Sequence, residues 1–183
     1  MHHALVAPLS ARPQPRYMTV SLCVLRLALE RRPPTHTPQL LRKRGQHEEA
    51  RTLLNEAHDS RVTVLGEDHP STLDSKHQLA RLLHDTSACS SPGAREAKIW
   101  FQLVLRKRSE SLREDHPATV ATKQAYGLHL CTKDKETAES MKRGADMLEA
   151  TAKSWEDLFG KDTPLTKKML AEVARARSAT VPY

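Results

Sequence analysis

Apolar residues fall at helical spacing from residue 50 onward, and the spacing itself recurs. Ala50, Leu53, Leu54 and Ala57 follow the i, i+3, i+4, i+7 pattern of one helix face. The same stripe returns as Ala97, Trp100, Phe101 and Val104, and again as Gly144, Met147, Leu148 and Thr151, 47 residues on each time. An octet accompanies each stripe: Leu65-Gly66-Glu67-Asp68-His69-Pro70-Ser71-Thr72, then Leu112-Arg113-Glu114-Asp115-His116-Pro117-Ala118-Thr119, then Phe159-Gly160-Lys161-Asp162-Thr163-Pro164-Leu165-Thr166. A fixed period of this length marks stacked structural repeats.

The octet reads as a helix end, a turn and a new helix start. Gly66 and Gly160 follow an apolar residue where a helix C-terminus favours the left-handed conformation. Proline at the first helical position loses only an N–H that would be orphaned anyway, and Thr163 before Pro164 is a good N-cap. His69 and His116 are weaker caps, each preceded by an aspartate that suits the positive helix end. Arg113 stands where the other copies have glycine, which predicts a strained or differently closed turn costing about 1 kcal/mol. Ala80, Gly127 and Ala174 share one offset after the prolines and predict close approach of helix axes.

These patterns predict an all-α chain, an α-solenoid of antiparallel helix pairs with period 47. In each pair the first helix is termed A and the second B. Residues 39–44 read as the end of an A helix, with a turn at 45–48. B then runs 47–64 with Leu53, Leu54, Ala57 and Leu65 inward. The next pair is A over 70–84, a loop over 85–93 and B over 94–112. A third A helix over 117–132, a long B helix ending at 158 and a capping A helix over 164–178 complete the repeat domain, placed at 40–178. Lys167, Lys168, Arg175 and Arg177 suit the exposed face of the cap. Residues 1–39 read as a poorly ordered, basic, Pro-rich tail with one short helix, and 179–183 as a second tail.

Leu65 to Thr72, the quartet His77-Gln78-Leu79-Ala80 and the run Gly45-Gln46-His47-Glu48-Glu49-Ala50 together resemble tetratricopeptide repeats of the kinesin light chain type. That resemblance covers roughly residues 40 to 178 and implies helical repeats that hold a partner peptide on their concave face. Two departures stand out: the period is longer than the family's usual one, and its Asn-Asn pair is absent from all three copies. The corresponding positions are His77-Gln78, Gln124-Ala125 and Ala171-Glu172.

Charge changes the picture less than its total suggests. The chain has a formal net charge of +7, but the basic excess lies in residues 1–45, and the remainder carries equal numbers of acidic and basic residues. A neutral repeat region makes nucleic acid an unfavoured partner. Three dispersed cysteines, Cys23, Cys89 and Cys131, suit a reducing compartment, and no apolar run is long enough for a membrane span. The expected location is cytoplasmic, with an Arg-rich organellar transit segment at the N-terminus as the alternative.

Chemistry is sought without a convincing constellation. No glycine-rich phosphate loop is present. His69 and His116 recur beside aspartates once per repeat, which suits turn residues better than catalysts. His84 with Cys89, and His129 with Cys131, lack an orienting acid in the pattern. The tetrads Leu41-Arg42-Lys43-Arg44 and Leu105-Arg106-Lys107-Arg108 occupy different repeat positions and read as solvated surface. Trp100, Phe101, Trp155 and Phe159 read as core anchors.

The expected function is therefore a non-enzymatic protein-binding scaffold, with no catalytic residues, cofactor or metal. The A helices sum to a basic face, so the partner peptide is expected to be acidic, lined by Lys76, His77, Gln78, Lys123 and Gln124. Two further readings stay open at this point: an RNA-associated helical repeat, and a fragment of a larger multidomain regulator.

Overall fold

A computed structural model of the chain describes residues 36–134 and 138–180. The two tail assignments therefore lie largely outside the described residues. The described elements are α1 (His36–Lys43), α2 (His47–Leu65), α3 (Pro70–Thr86), α4 (Pro92–Ser111), α5 (Pro117–Thr132), α6 (Ala138–Phe159) and α7 (Pro164–Thr180). No strand occurs among the described residues. Odd-numbered helices are the A helices and even-numbered ones the B helices. Each packs mainly on its neighbours in sequence, the nearest-neighbour arrangement of a solenoid.

Turn chemistry sets the helix starts. His69 Nδ1 accepts from the Ser71 amide at 3.1 Å and His116 Nδ1 from the Ala118 amide at 3.2 Å, so both imidazoles serve as N-caps ahead of proline. Thr163 does the same for α7 through the Thr166 amide at 3.2 Å. Gly66 and Gly160 have φ of +90° and +86°, as their positions predicted. Thr72 and Thr166 lock these two turns by donating to the Gly66 and Gly160 carbonyls at 2.8 and 2.9 Å. Arg113 resolves the exception: α4 stops one residue earlier, Leu112 takes an extended φ of −117°, and no positive φ is needed. The strain is avoided, but the equivalent hydroxyl, Thr119 Oγ1, is left buried without a partner.

The core sits between layers in three clusters. Ala50, Leu54, Leu79 and Leu82 join α2 to α3; Ala80, Ala97, Phe101, Tyr126 and Leu130 join α3, α4 and α5. Val120, Leu148, Ala152, Trp155, Met169 and Val173 are among those joining α5, α6 and α7. Backbones approach most closely at Gly127 and Gly144. A Cβ on Gly144 would lie 2.7 Å from Cys131 Sγ and 2.9 Å from the Gly127 carbonyl oxygen.

Several side chains depart from expectation, each for a packing reason. Leu53 is 41% exposed, whereas its repeat mate Trp100 packs on the cluster with Leu79 and Leu82. Trp100 is itself half-buried. Phe159 is 47% exposed and stacks on Trp155 at 4.8 Å instead of entering the core. Lys98 is partly buried and pairs at 2.5 Å with Asp134, a buried carboxylate. The loop expected over 85–93 is shorter, because α3 continues to Thr86 and α4 starts at Pro92. At α7, Lys167 and Ala174 are exposed where their repeat mates Leu73, Val120 and Ala80 are fully buried.

Arg108 is the largest correction. Read from sequence as solvated surface, it is 4% exposed. Its guanidinium donates to the Ala118 carbonyl at 3.0 Å and Thr122 Oγ1 at 2.6 Å, and it pairs with the Asp74 carboxylate. Arg61, 47 residues earlier, is also buried and makes the same contacts one repeat back, to the Ser71 carbonyl at 3.2 Å and the Ser75 hydroxyl. In the third copy both partners change together: Trp155 stands for the arginine and Met169 for the hydroxyl residue, and both are buried.

Candidate functional site

The A helices form one side of the stack. Neighbouring A helices touch, with α3 against α5 and α5 against α7, more closely than successive B helices do. Side-chain pairs run along the A row: Arg42 of α1 with Asp85 of α3, and Gln124 Nε2 of α5 to Glu172 of α7 at 3.1 Å. A cavity of about 140 Å³ lies between α5 and α7, lined by Leu128, Cys131, Thr132, Glu172, Arg175 and Ala176.

The five expected lining residues divide. Lys76, Gln78, Lys123 and Gln124 are half-buried on α3 and α5. Lys76 Nζ reaches Glu67 at 3.8 Å, and Lys123, one period on, pairs with Glu114, also one period on. The two lysines thus fold back onto the turns that precede their own helices, and the Lys123 ammonium holds the Glu114 carboxyl below its usual range. His77 differs. It is 5% exposed, packed edge-on to Phe101 at 5.9 Å, and lies in the core between α3 and α4, not on an open face. Burial, with Arg108, Arg81 and Arg42 nearby, keeps its imidazole neutral far below the ordinary histidine range.

The histidine and cysteine candidates are partly brought together. His84 and His129 meet with Nδ1 atoms 3.1 Å apart. Cys89 Sγ instead turns to the Thr132 carbonyl at 3.2 Å, and Cys131 is buried facing the Met141 carbonyl at 3.6 Å. Burial raises the Cys131 thiol, the opposite of what an activated nucleophile needs. No group of three or more metal-ligating side chains occurs among the described residues.

Residues 39–90 match the family model of the tetratricopeptide repeat. The fold is a tetratricopeptide-like repeat solenoid. Two crystal structures share it, both of the nearly identical TPR-like repeats of a kinesin light chain candidate from Podosopora anserina. The first aligns with a TM-score of 0.66 at 22% identity, covering 86% of this chain and 67% of that one. A point variant of the same repeats gives 0.64 at 22% identity with the same coverage. Among curated proteins no sequence matches this chain.

The link between α1 and α2 takes residues 44–46, whereas the link between α3 and α4 takes 87–91. The longer link is tied to the next repeat: Ser90 N–H donates to the Lys133 carbonyl at 3.0 Å, and Lys133 Nζ to the Ser87 carbonyl at 2.6 Å. Sequence reasoning missed the buried arginines. The signal was present, since Arg61 and Arg108 are one period apart and face Ser75 and Thr122 at one shared offset.

Proposed function

We propose that the chain is a non-enzymatic scaffold that binds a partner peptide along the inner face of its A helices. The observation that carries this reading is the set of half-buried polar side chains on α3 and α5, namely Lys76, Gln78, Lys123 and Gln124, of which the two lysines stand one period apart. Such groups offer hydrogen bonds to an extended chain, and an acidic peptide would exchange for Glu67 and Glu114 at the two lysines. Because those lysines already have partners, binding gains only the difference between two ion pairs, and affinity is modest. The free thiols Cys89 and Cys131 suit a cytoplasmic location. No described helix is long and apolar enough to cross a membrane.

An RNA-binding role gains little from the basic residues of the stack. Arg61 and Arg108 of the B helices are buried, Lys98 and Lys107 of α4 are engaged with carboxylates, and so is Lys123 of α5. The test is binding of acidic and basic peptide libraries to the full chain at two salt concentrations, beside Lys76→Glu/Lys123→Glu. Preferential, salt-sensitive acidic binding that the double variant loses supports the proposal. Equal binding of both libraries, or an unaffected variant, overturns the acidic preference; no peptide binding at all overturns the scaffold reading.

A further inference from the structure

A column of aromatic rings runs through the junction of the second and third repeats. His77 of α3 packs on Phe101 of α4 with centroids 5.9 Å apart, Phe101 packs on His129 of α5 at 5.7 Å, and His129 packs on His84 of α3 at 5.3 Å. His129 is 1% exposed and His77 is 5% exposed. His77 Nδ1 has no hydrogen-bond partner. Between His84 and His129 the two Nδ1 atoms are 3.1 Å apart, room for one shared proton. A second proton there would aim two N–H groups at each other beside a His129 ring that is 1% exposed.

The surroundings oppose positive charge. His77 faces Arg108 of α4, Arg81 of its own α3, and Arg42 of α1. His84 faces Lys133 of α5, Arg81 and Arg42, with Asp85 as the one nearby acid. His129 faces Lys98 of α4 and His84, with Asp134 opposing them. Burial dominates for all three, and for His129 it brings the pKa down to about 4.

We propose that the His77–Phe101–His129–His84 column is an acid-sensitive latch, whose protonation separates α3 from α5 and opens the junction between the second and third repeats. The latch does not rest on peptide binding, since its readout is the solenoid itself. Histidine held neutral in the fold and titrating normally when unfolded gives stability that is complete above about pH 6.5. That stability is lost as pH falls toward 4. From His129 alone, the folding equilibrium should fall about thirtyfold between pH 7.5 and pH 5.

The experiment is urea unfolding of the full chain at pH 7.5 and pH 5, for the wild type and His84→Gln/His129→Gln. The expected result is a drop at least tenfold smaller in the variant, and an equal drop overturns the proposal. Should the variant fail to fold, NMR titration of the wild-type imidazoles decides. His129 and His77 should stay neutral to below pH 5, and titration of both near 6.5 overturns the latch. Hydrogen exchange in mild acid should show α3 to α5 losing protection before α6 and α7; the reverse order overturns it.

Discussion

Replacing Arg108 by alanine tests whether the stack is held by buried, repeat-related arginines. The guanidinium is 4% exposed and holds three acceptors on two A helices, the Asp74 carboxylate of α3 and the Ala118 carbonyl and Thr122 hydroxyl of α5. A hydrogen bond to a charged group contributes about 1.5–3 kcal/mol. Loss of a buried pair reaches about 3–5 kcal/mol when the partner is stranded. Here Asp74 is half exposed and can return to water, and Thr122 already bonds Ala118 at 2.8 Å, so only part of the upper figure applies. Arg108→Ala should therefore cost about 3 kcal/mol. Arg106→Ala, at a side chain 67% exposed, should stay within about 0.5 kcal/mol. Arg108→Met, which restores apolar volume as Trp155 and Met169 do in the third copy, should cost about half as much as alanine. Urea unfolding followed by circular dichroism reads all three. Equal costs at Arg106 and Arg108 would refute the reasoning, since they would make Arg108 the solvated residue its tetrad suggests.

Three further outcomes follow from the same packing. Thr72→Val should cost about 1 kcal/mol by breaking the 2.8 Å bond to Gly66, whereas Thr119→Val, at a hydroxyl with no partner, should be neutral or stabilising; the opposite order in urea midpoints counts against the turn assignment. Gly144→Ala should cost about 1–3 kcal/mol, because its Cβ would meet Cys131 Sγ at 2.7 Å and backbone at 2.9 Å; an unchanged thermal midpoint would mean that α5 and α6 are not so closely packed. Lys98→Ala should cost about 1–3 kcal/mol through the Asp134 carboxylate it leaves buried, and a neutral result would return Lys98 to the surface.

The fold was legible because the repeat states itself three times. Spacing located the starts of α3, α5 and α7 at proline, and α5 matches its expected bounds of 117 and 132. What periodicity could not show was which neighbour each face meets. Leu53 and Trp100 occupy one repeat position, yet Trp100 packs on the cluster with Leu79 and Leu82 while Leu53 is 41% exposed, so burial differs while the position is the same. Phe159 fails for a similar reason, since ring stacking on Trp155 satisfies it outside the core.

The candidate face was less legible. Lys76 and Lys123 carry charge in the sequence, but their pairing with Glu67 and Glu114 depends on how each turn folds back on its helix. His77 looked like a ligand contact because its position matches the family's polar pair, and its burial against Phe101 is decided by the neighbouring helix α4. The Arg61 and Arg108 pattern was hidden by composition, because a basic run invites a surface reading. The shared offset to Ser75 and Thr122, and the joint change to Trp155 and Met169, are the sequence marks of the contact.

The claim that the A row is the working face is tested most directly by hydrogen exchange of the full chain with and without the tightest peptide from the acidic library. The account predicts added protection in α3, α5 and α7, centred on Lys76, Gln78, Lys123 and Gln124, with α2, α4 and α6 unchanged. Protection confined to the B helices would contradict it.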